Sequence, residues 1–130
     1  MGYDKVLIAD DDPTTRCVMA EAVEETGLAA IECSNGRTAW EILEDNASVR
    51  LLISDILMPE LDGRTLVRIL RGNRRFERLP VIMISAVIKL AELEDILELG
   101  GVEFLRKPFS APGLQRLIRQ MTAPGATLKE

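Results

Sequence analysis

Histidine is absent from the sequence, and its absence removes a large part of ordinary enzyme chemistry. Without an imidazole there is no Ser–His–Asp triad, no histidine general base and no histidine-ligated metal site. Two cysteines are present, Cys17 and Cys33, and their spacing is far from that of a CxxC pair. A disulfide scaffold and a cysteine-rich zinc site are therefore both disfavoured. Any chemistry of this chain has to rely on carboxylates, hydroxyls and amines.

The chain also lacks an excess of positive charge and a long hydrophobic run. Asp and Glu number 21 against 16 Lys and Arg, a formal net charge of -5, which disfavours binding nucleic-acid backbones as a main task. The longest nearly unbroken apolar stretch covers only residues 81–88, far below the ~18 residues that a membrane-spanning helix needs. The first residues show no apolar signal core, so we expect a cytoplasmic protein with no membrane partner.

Length and periodicity predict the fold class. A chain of 130 residues with 47% hydrophobic residues suits one domain, which we expect to span residues 1–123 with a frayed tail at 124–130. Apolar runs that suit buried parallel strands begin near residues 5, 29, 51, 81 and 102, and an amphipathic segment follows each of them. Five strands alternating with five helices predict an α/β fold with a doubly wound parallel sheet.

The helical segments have recognisable ends and apolar faces. Asp12 before Pro13 predicts the start of the first helix, and Gly27 predicts its end. Apolar residues at helical spacing are expected to face the core. In the first, third and fourth helices these residues are Val18, Met19, Ala22, Val23, Leu66, Ile69, Leu70, Leu90, Leu93 and Leu97.

Polar side chains stand at the ends of four predicted strands. Asp10 and Asp11 follow the first strand, and Asp55 ends the third. Ser85 ends the fourth strand and Lys107 follows the fifth. Ligands of doubly wound sheets bind beyond the carboxyl ends of the strands. We therefore expect three carboxylates, one hydroxyl and one ammonium group at the same edge of the sheet.

The charges of this group predict a metal and a phosphoryl site. Three carboxylates repel one another, and a divalent cation together with Lys107 would balance them. Hard oxygen ligands favour Mg²⁺, or alternatively Mn²⁺, over zinc. An Asp carboxylate can also accept a phosphoryl group and form an acyl phosphate. Asp55, the single acid on the more central third strand, is the candidate acceptor.

Several motifs in register make the chain similar to a known family. They are VLIADDD at residues 6–12, DILMP at 55–59 followed by LDG at 61–63, SA at 85–86 and KPF at 107–109. With these motifs the chain resembles the receiver (CheY-like) domains of two-component response regulators over nearly its whole length. The resemblance implies a flavodoxin-like sheet of strand order 2-1-3-4-5 with five helices.

The resemblance also implies how the acidic pocket works. Asp55 would receive a phosphoryl group from the phosphohistidine of a sensor histidine kinase or phosphotransfer protein. Asp11 would bind Mg²⁺ directly, Asp10 would bind it directly or through water, and the backbone carbonyl of Leu57 would supply a further ligand. Lys107 would pair with an Asp at rest and with a phosphoryl oxygen after modification, and the Lys107–Pro108 bond would be cis.

The same family pattern implies a signalling switch rather than an ordinary enzyme. Ser85 would move toward the phosphoryl group, and the burial of Phe104 would follow that movement through packing alone. The face built from the fourth helix, fifth strand and fifth helix would then control a downstream protein partner or self-dimerisation. The chain would catalyse only its own phosphorylation and dephosphorylation. Leu57 and Val87 match positions that tune dephosphorylation in that family, and because both are apolar the phosphoryl lifetime stays open.

Two other functions and one charged segment stay open at this point. A haloacid-dehalogenase-like phosphatase would use a DxD loop, and Asp10 and Asp12 have that spacing, although Asp55 is then unexplained. A receiver-like interaction module that is never phosphorylated is the second alternative. Residues 64–78 contain six arginines and one acid, Glu77. A solvated surface explains this segment better than a nucleic-acid site, so direct nucleic-acid binding is not expected.

Overall fold

Strands and helices alternate along the whole described chain. The structure, a computed structural model, describes residues 4–86 and 90–123, without the side chains of residues 90 and 92. The predictions made for Val87, for the side chain of Leu90 and for the tail at 124–130 lie outside the described residues. The elements are β1 (Lys5–Ala9), α1 (Pro13–Glu25), β2 (Ala29–Cys33), α2 (Gly36–Asp45), β3 (Val49–Asp55), α3 (Gly63–Arg71), β4 (Val81–Ser85), α4 (Leu90–Glu98), β5 (Val102–Arg106) and α5 (Ala111–Thr122).

The five strands form one parallel sheet in the order β2-β1-β3-β4-β5, which confirms the predicted topology. Strand β3 begins at Val49, two residues before the predicted start at residue 51. The apolar run shows only from Leu51 because Arg50 is exposed and Val49 is half-buried. Lys5 of β1 pairs with Val49, and the register shifts immediately after that pair. Parallel strand order places the carboxyl ends of all five strands at one edge of the sheet.

The sheet is covered by helices on both faces. Alternate strand residues such as Leu7 and Ile8 point into two separate apolar clusters. Helices α2, α3 and α4 contribute to the cluster that contains Leu7, and helices α1 and α5 contribute to the cluster that contains Ile8. The central strands β1, β3 and β4 are therefore buried from both sides, as their continuous apolar runs predict. The edge strands β2 and β5 instead keep exposed residues such as Glu32 and Glu103.

Three residues predicted to face the core are instead exposed. Val18, Ile69 and Leu97 retain 45%, 39% and 38% of their accessible surface. Each lies next to a residue that does face the core, because a helix packed on a sheet buries only a stripe of its surface. In α4, for example, Ile96 is fully buried in place of its neighbour Leu97.

Helix ends follow the capping signals of the sequence. The Asp12 side chain accepts hydrogen bonds from the backbone N–H groups of Thr14 and Thr15, and Pro13 occupies the first position of α1. These contacts confirm the predicted start of that helix. Gly27 follows its end with a φ of +93°, a conformation that other residues rarely adopt.

A half-buried arginine at the end of α3 ties two loops together. The Arg71 guanidinium donates to the carbonyls of Phe76, Leu79, Gly100 and Gly101, at 3.2, 2.7, 3.0 and 3.3 Å. Burial lowers the pKa of Arg71 because it removes water from around the charged guanidinium group. One side chain therefore holds the α3–β4 loop against the α4–β5 loop.

The two thiols differ in exposure, and their reactivity should differ accordingly. Cys17 is exposed on α1, whereas Cys33 is buried at the end of β2. Burial raises the pKa of Cys33 to about 11, and thiolate is the reactive form of cysteine. We expect a thiol reagent such as Ellman's reagent to label one thiol per native chain at neutral pH.

The variant Cys17→Ser should lose this fast labelling, and urea should restore reactivity through Cys33. Rapid labelling of native Cys17→Ser would contradict the buried position of Cys33.

Candidate functional site

Three acidic side chains meet at the carboxyl edge of the sheet. Asp10 and Asp11 directly follow β1, and Asp55 is the last residue of β3. One carboxylate oxygen from each of the three lies within 4.8 Å of the others. Asp10 and Asp55 are buried, whereas Asp11 is exposed. The cluster is thus open to solvent on the side of Asp11.

Lys107 supplies a positive charge to this cluster. Its Nζ donates to Asp10 Oδ2 at 3.1 Å and to Asp55 Oδ2 at 3.0 Å. Burial of the ammonium group opposes its charge, but the hydrogen bonds to Asp55 and Asp10 outweigh burial and raise the pKa of Lys107. The lysine is therefore held charged between two of the three acids.

The pKa of Asp10 shows that Lys107 does not fully compensate the negative charge of the cluster. Burial raises the pKa of Asp10, and repulsion by Asp55 acts in the same direction. A hydrogen bond from the Asp12 N–H and the contact with Lys107 oppose this effect without cancelling it. The cluster contains three carboxylates and one ammonium group, and all the atoms that it offers to a metal are hard oxygens. This donor set and charge fit a divalent cation such as Mg²⁺.

The Asp55 carboxylate is fixed at both oxygens. Oδ1 accepts a hydrogen bond from the backbone N–H of Ile56 at 2.7 Å, while Oδ2 faces Lys107. The loop after β3 then folds back, because the Gly63 N–H donates to the Ile56 carbonyl at 2.8 Å. A Cβ on Gly63 would lie only 2.3 Å from the Asp55 carbonyl oxygen. Glycine at this position therefore permits the close turn that follows Asp55.

The variant Gly63→Ala should test this close approach. The added methyl group has to displace backbone, so we expect the free energy of unfolding to fall by about 2–3 kcal/mol, as in other overpacked sites. Gly72→Ala is a matched control at the other end of α3, where the new Cβ would meet its nearest atom at an ordinary 3.5 Å. Urea unfolding followed by circular dichroism measures both variants. Equal stabilities of the two variants would contradict the tight packing at Gly63.

Arg16 belongs to the surroundings of the site and was missed by the sequence reasoning. Its Nη1 donates to the Asp10 carbonyl at 2.8 Å, and its Nε lies 3.3 Å from Glu32 Oε1 on β2. The guanidinium thus ties the loop that carries Asp10 to the neighbouring strand. A sequence signal existed: Arg16 stands one helical turn after the Asp12 cap, which directs it back toward the β1–α1 loop.

The predicted switch residues lie on neighbouring strands. Ser85 is buried at the end of β4. Phe104 is partly buried on β5, where it packs against the apolar cluster that contains Leu7. The Lys107–Pro108 peptide bond is cis, as the family resemblance implies. The Leu57 side chain is 66% exposed in the loop after β3.

No helix within the described residues is long and apolar enough to cross a membrane.

Fold and site together define a receiver domain of two-component signalling. Residues 6–119 match the family described as "Response regulator receiver domain", which is most of the chain. The chain therefore belongs to the response regulator receiver family, whose members are phosphorylation-dependent signalling switches rather than conventional enzymes.

Individual relatives agree with this assignment. The chain is 36% identical to chemotaxis protein CheY1 of Helicobacter pylori over 107 residues, which are 82% of this chain and 86% of that protein. The receiver domain of a signal transduction histidine kinase from Syntrophus aciditrophicus is 32% identical, with a TM-score of 0.83 over 92% of this chain and 90% of that chain. The receiver domain of the sensor histidine kinase PA1611 from Pseudomonas aeruginosa, whose structure has a magnesium ion in its active site cleft, shares the fold. It is 24% identical, with a TM-score of 0.82 over 95% of this chain and 100% of that chain.

Proposed function

We propose that Asp55 accepts a phosphoryl group from the phosphohistidine of a sensor histidine kinase or phosphotransfer protein. The observation that carries this proposal is the fixed Asp55 carboxylate, held by Ile56 N–H and Lys107 beside two further acids. A carboxylate oxygen attacks phosphorus, the bond from phosphorus to the imidazole nitrogen breaks, and an acyl phosphate forms. Treatment with acetyl phosphate, with and without Mg²⁺, and measurement of the intact mass test this function.

We propose that the same cluster holds Mg²⁺, or Mn²⁺ in its place. Asp10, Asp11 and Asp55 would bind the ion through carboxylate oxygens, and Leu57 would add its backbone carbonyl. The bound ion would neutralise charge on the phosphoryl oxygens. Lys107 would do the same, because its ammonium group already contacts Asp55 Oδ2. Both cations would thus make a dianionic group tolerable beside three acids.

Magnesium should stabilise the protein, since an ion that binds only the folded state raises its stability. At a free Mg²⁺ concentration of about 100 times Kd, we expect ~2.7 kcal/mol of added stability. The variant Asp11→Asn should lose most of this effect, because it removes one carboxylate of the cluster.

The neighbouring variant Asp12→Asn is the matched control. Asp12 caps α1 outside the cluster, and Asn caps a helix equally well, so its response to Mg²⁺ should equal that of the wild type. Thermal melting with a Mg²⁺ titration measures all three proteins. An undiminished response of Asp11→Asn would contradict the proposed ligand set.

Phosphorylation would act on a surface through Ser85 and Phe104. The new phosphoryl oxygens would draw the Ser85 hydroxyl toward Asp55, and space vacated near the end of β4 would change the packing of Phe104 on β5. We propose that the face formed by α4, β5 and α5 then changes its affinity for a protein partner or a second copy of the chain. The domain that carries this switch is proposed to span residues 1–123, and its place of action the cytoplasm.

The position of Asp12 disfavours the phosphatase alternative. A phosphatase DxD loop needs its second acid aimed at the substrate, but the Asp12 side chain is exposed and accepts hydrogen bonds from Thr14 and Thr15. Those bonds, first among them that of the Thr15 hydroxyl, lower the pKa of Asp12, so it would be a poor general acid. An inert receiver-like module would take up no phosphoryl group from acetyl phosphate at all.

A further inference from the structure

The arginine-rich segment 64–78 divides into parts with different partners. Arg64 and Arg68 form ion pairs with Asp95 of α4. Arg71 is turned inward to four backbone carbonyls. The remaining arginines lie in the loop between α3 and β4, and two of these, Arg75 and Arg78, line a cavity. The switch function described above uses none of this cavity.

The cavity lies at the edge of the sheet opposite the acidic cluster. It has a volume of about 370 Å³ and is formed by the segment that leads into β3 and the loop that leads into β4. Three of its lining residues are arginines and none is acidic; the full lining is Asn46, Ala47, Val49, Arg50, Arg75, Phe76, Arg78, Leu79 and Pro80. On a chain with a net charge of -5, these guanidinium groups give the cavity a local positive charge, part of which Asp4 neutralises by pairing with Arg50.

The guanidinium groups of Arg75 and Arg50 are held in place by neighbouring groups. Arg75 Nη1 donates to the Glu44 carbonyl at 2.8 Å, and its guanidinium stands 4.9 Å from the centre of the Phe76 ring. Arg50 Nη1 pairs with Asp4 Oδ2 at 2.9 Å. Each contact uses one of the five donors of a guanidinium group, so donors remain for an anion.

The wall of the cavity is also held. Arg71 binds the carbonyls of Phe76 and Leu79, which fixes the loop that carries Arg75 and Arg78. Phe76 is buried and meets Trp40 of α2 edge to face, with 5.5 Å between ring centres. A site whose walls are already ordered loses less entropy when a ligand binds.

We propose that this cavity binds an organic phosphate, a small molecule with at least two negative charges and an apolar part. Planar guanidinium groups match phosphate oxygens through paired hydrogen bonds. Val49, Leu79 and Pro80 add an apolar wall that inorganic phosphate would leave uncovered. The volume falls within the range of small-molecule sites, ~300–1,000 Å³. A nucleoside diphosphate is the simplest probe with these properties.

Titration of the full chain with ADP in EDTA, followed by NMR, tests the proposal. EDTA removes divalent cations, so that the acidic cluster has no ion through which to hold a phosphate. We expect saturable shifts confined to residues 46–50 and 75–80. Arg75→Gln and Arg78→Gln should each weaken binding by about tenfold, because a hydrogen bond to a charged group is lost. Arg74→Gln is the matched control, since Arg74 is exposed and adjacent but does not line the cavity.

Titrations with other compounds distinguish an organic phosphate from other ligands. Adenosine should bind at least tenfold more weakly than ADP, and inorganic diphosphate should bind more weakly than ADP because it leaves the apolar wall bare. Absence of saturable shifts, equal effects of all three arginine variants, or much tighter binding of a single-stranded oligonucleotide than of ADP would each overturn the proposal. Failure here leaves phosphorylation of Asp55 untouched, because that reaction takes place at the opposite edge of the sheet.

Discussion

The variant Asp55→Asn should take up no phosphoryl group from acetyl phosphate in the presence of Mg²⁺, whereas the wild type should gain one. Asparagine keeps the size of the side chain but replaces the attacking carboxylate oxygen with an amide, which is a very poor nucleophile. The expected effect is complete loss of the adduct in the intact mass. The variant keeps Lys107, Asp10 and Asp11, which supply the positioning and charge that phosphoryl transfer also needs. Loss of the adduct would therefore point to the missing nucleophile.

A second acid-to-amide change provides the control for that result. Asp45 is exposed at the end of α2 and does not belong to the cluster. Asp45→Asn should therefore gain the adduct at the wild-type rate. If Asp55→Asn gained a stoichiometric adduct, the acceptor would be another residue, and if the wild type gained none, the inert-module alternative would be supported.

Replacement of Arg71 by methionine should strongly destabilise the protein while leaving the acidic cluster intact. Methionine keeps the length and apolar stem of the side chain but removes all donors to the four carbonyls. A buried polar group that loses its hydrogen-bond partner costs about 1–3 kcal/mol. Because solvent can reach some of these carbonyls, the total cost is smaller than four full penalties. We expect a loss of about 3 kcal/mol in the free energy of unfolding, or a melting temperature lower by roughly 10 °C.

Arg74→Met is the matched control for the Arg71 variant. Arg74 is exposed in the same loop, so its replacement should change stability by less than about 0.5 kcal/mol. Arg71→Lys should fall between the two, because one ammonium group cannot reach four separated carbonyls. Stability of Arg71→Met within error of Arg74→Met would show that the two loops do not depend on this side chain.

Much of the fold and of the acidic cluster was predictable because short-range signals agree with the topology. Continuous apolar runs marked the buried strands, and the strand order implied by the family resemblance brings the ends of β1, β3 and β5 together. Asp10, Asp55 and Lys107 meet for that reason. The cap of α1 was readable from Asp12 and Pro13 alone, since capping is a local interaction.

Other features depend on tertiary contacts that no local pattern contains. Helical periodicity marks a broad apolar face, but only packing decides how wide the buried stripe is, so Val18, Ile69 and Leu97 were wrongly placed in the core. Arg16 and Arg71 have long side chains that bind backbone carbonyls, and backbone acceptors carry no residue identity to find in a sequence. The roles of Ser85 and Phe104 stay predictions, because they concern a change between two states.

Trapping the modified residue tests the central claim most directly. Borohydride reduces an aspartyl phosphate to homoserine, so reduction of the phosphorylated wild type followed by peptide mass spectrometry locates the acceptor. We predict homoserine at position 55 alone, and only when Mg²⁺ was present during phosphorylation. Homoserine at position 10 or 11, or equal yields at position 55 with Mg²⁺ and with EDTA, would contradict it.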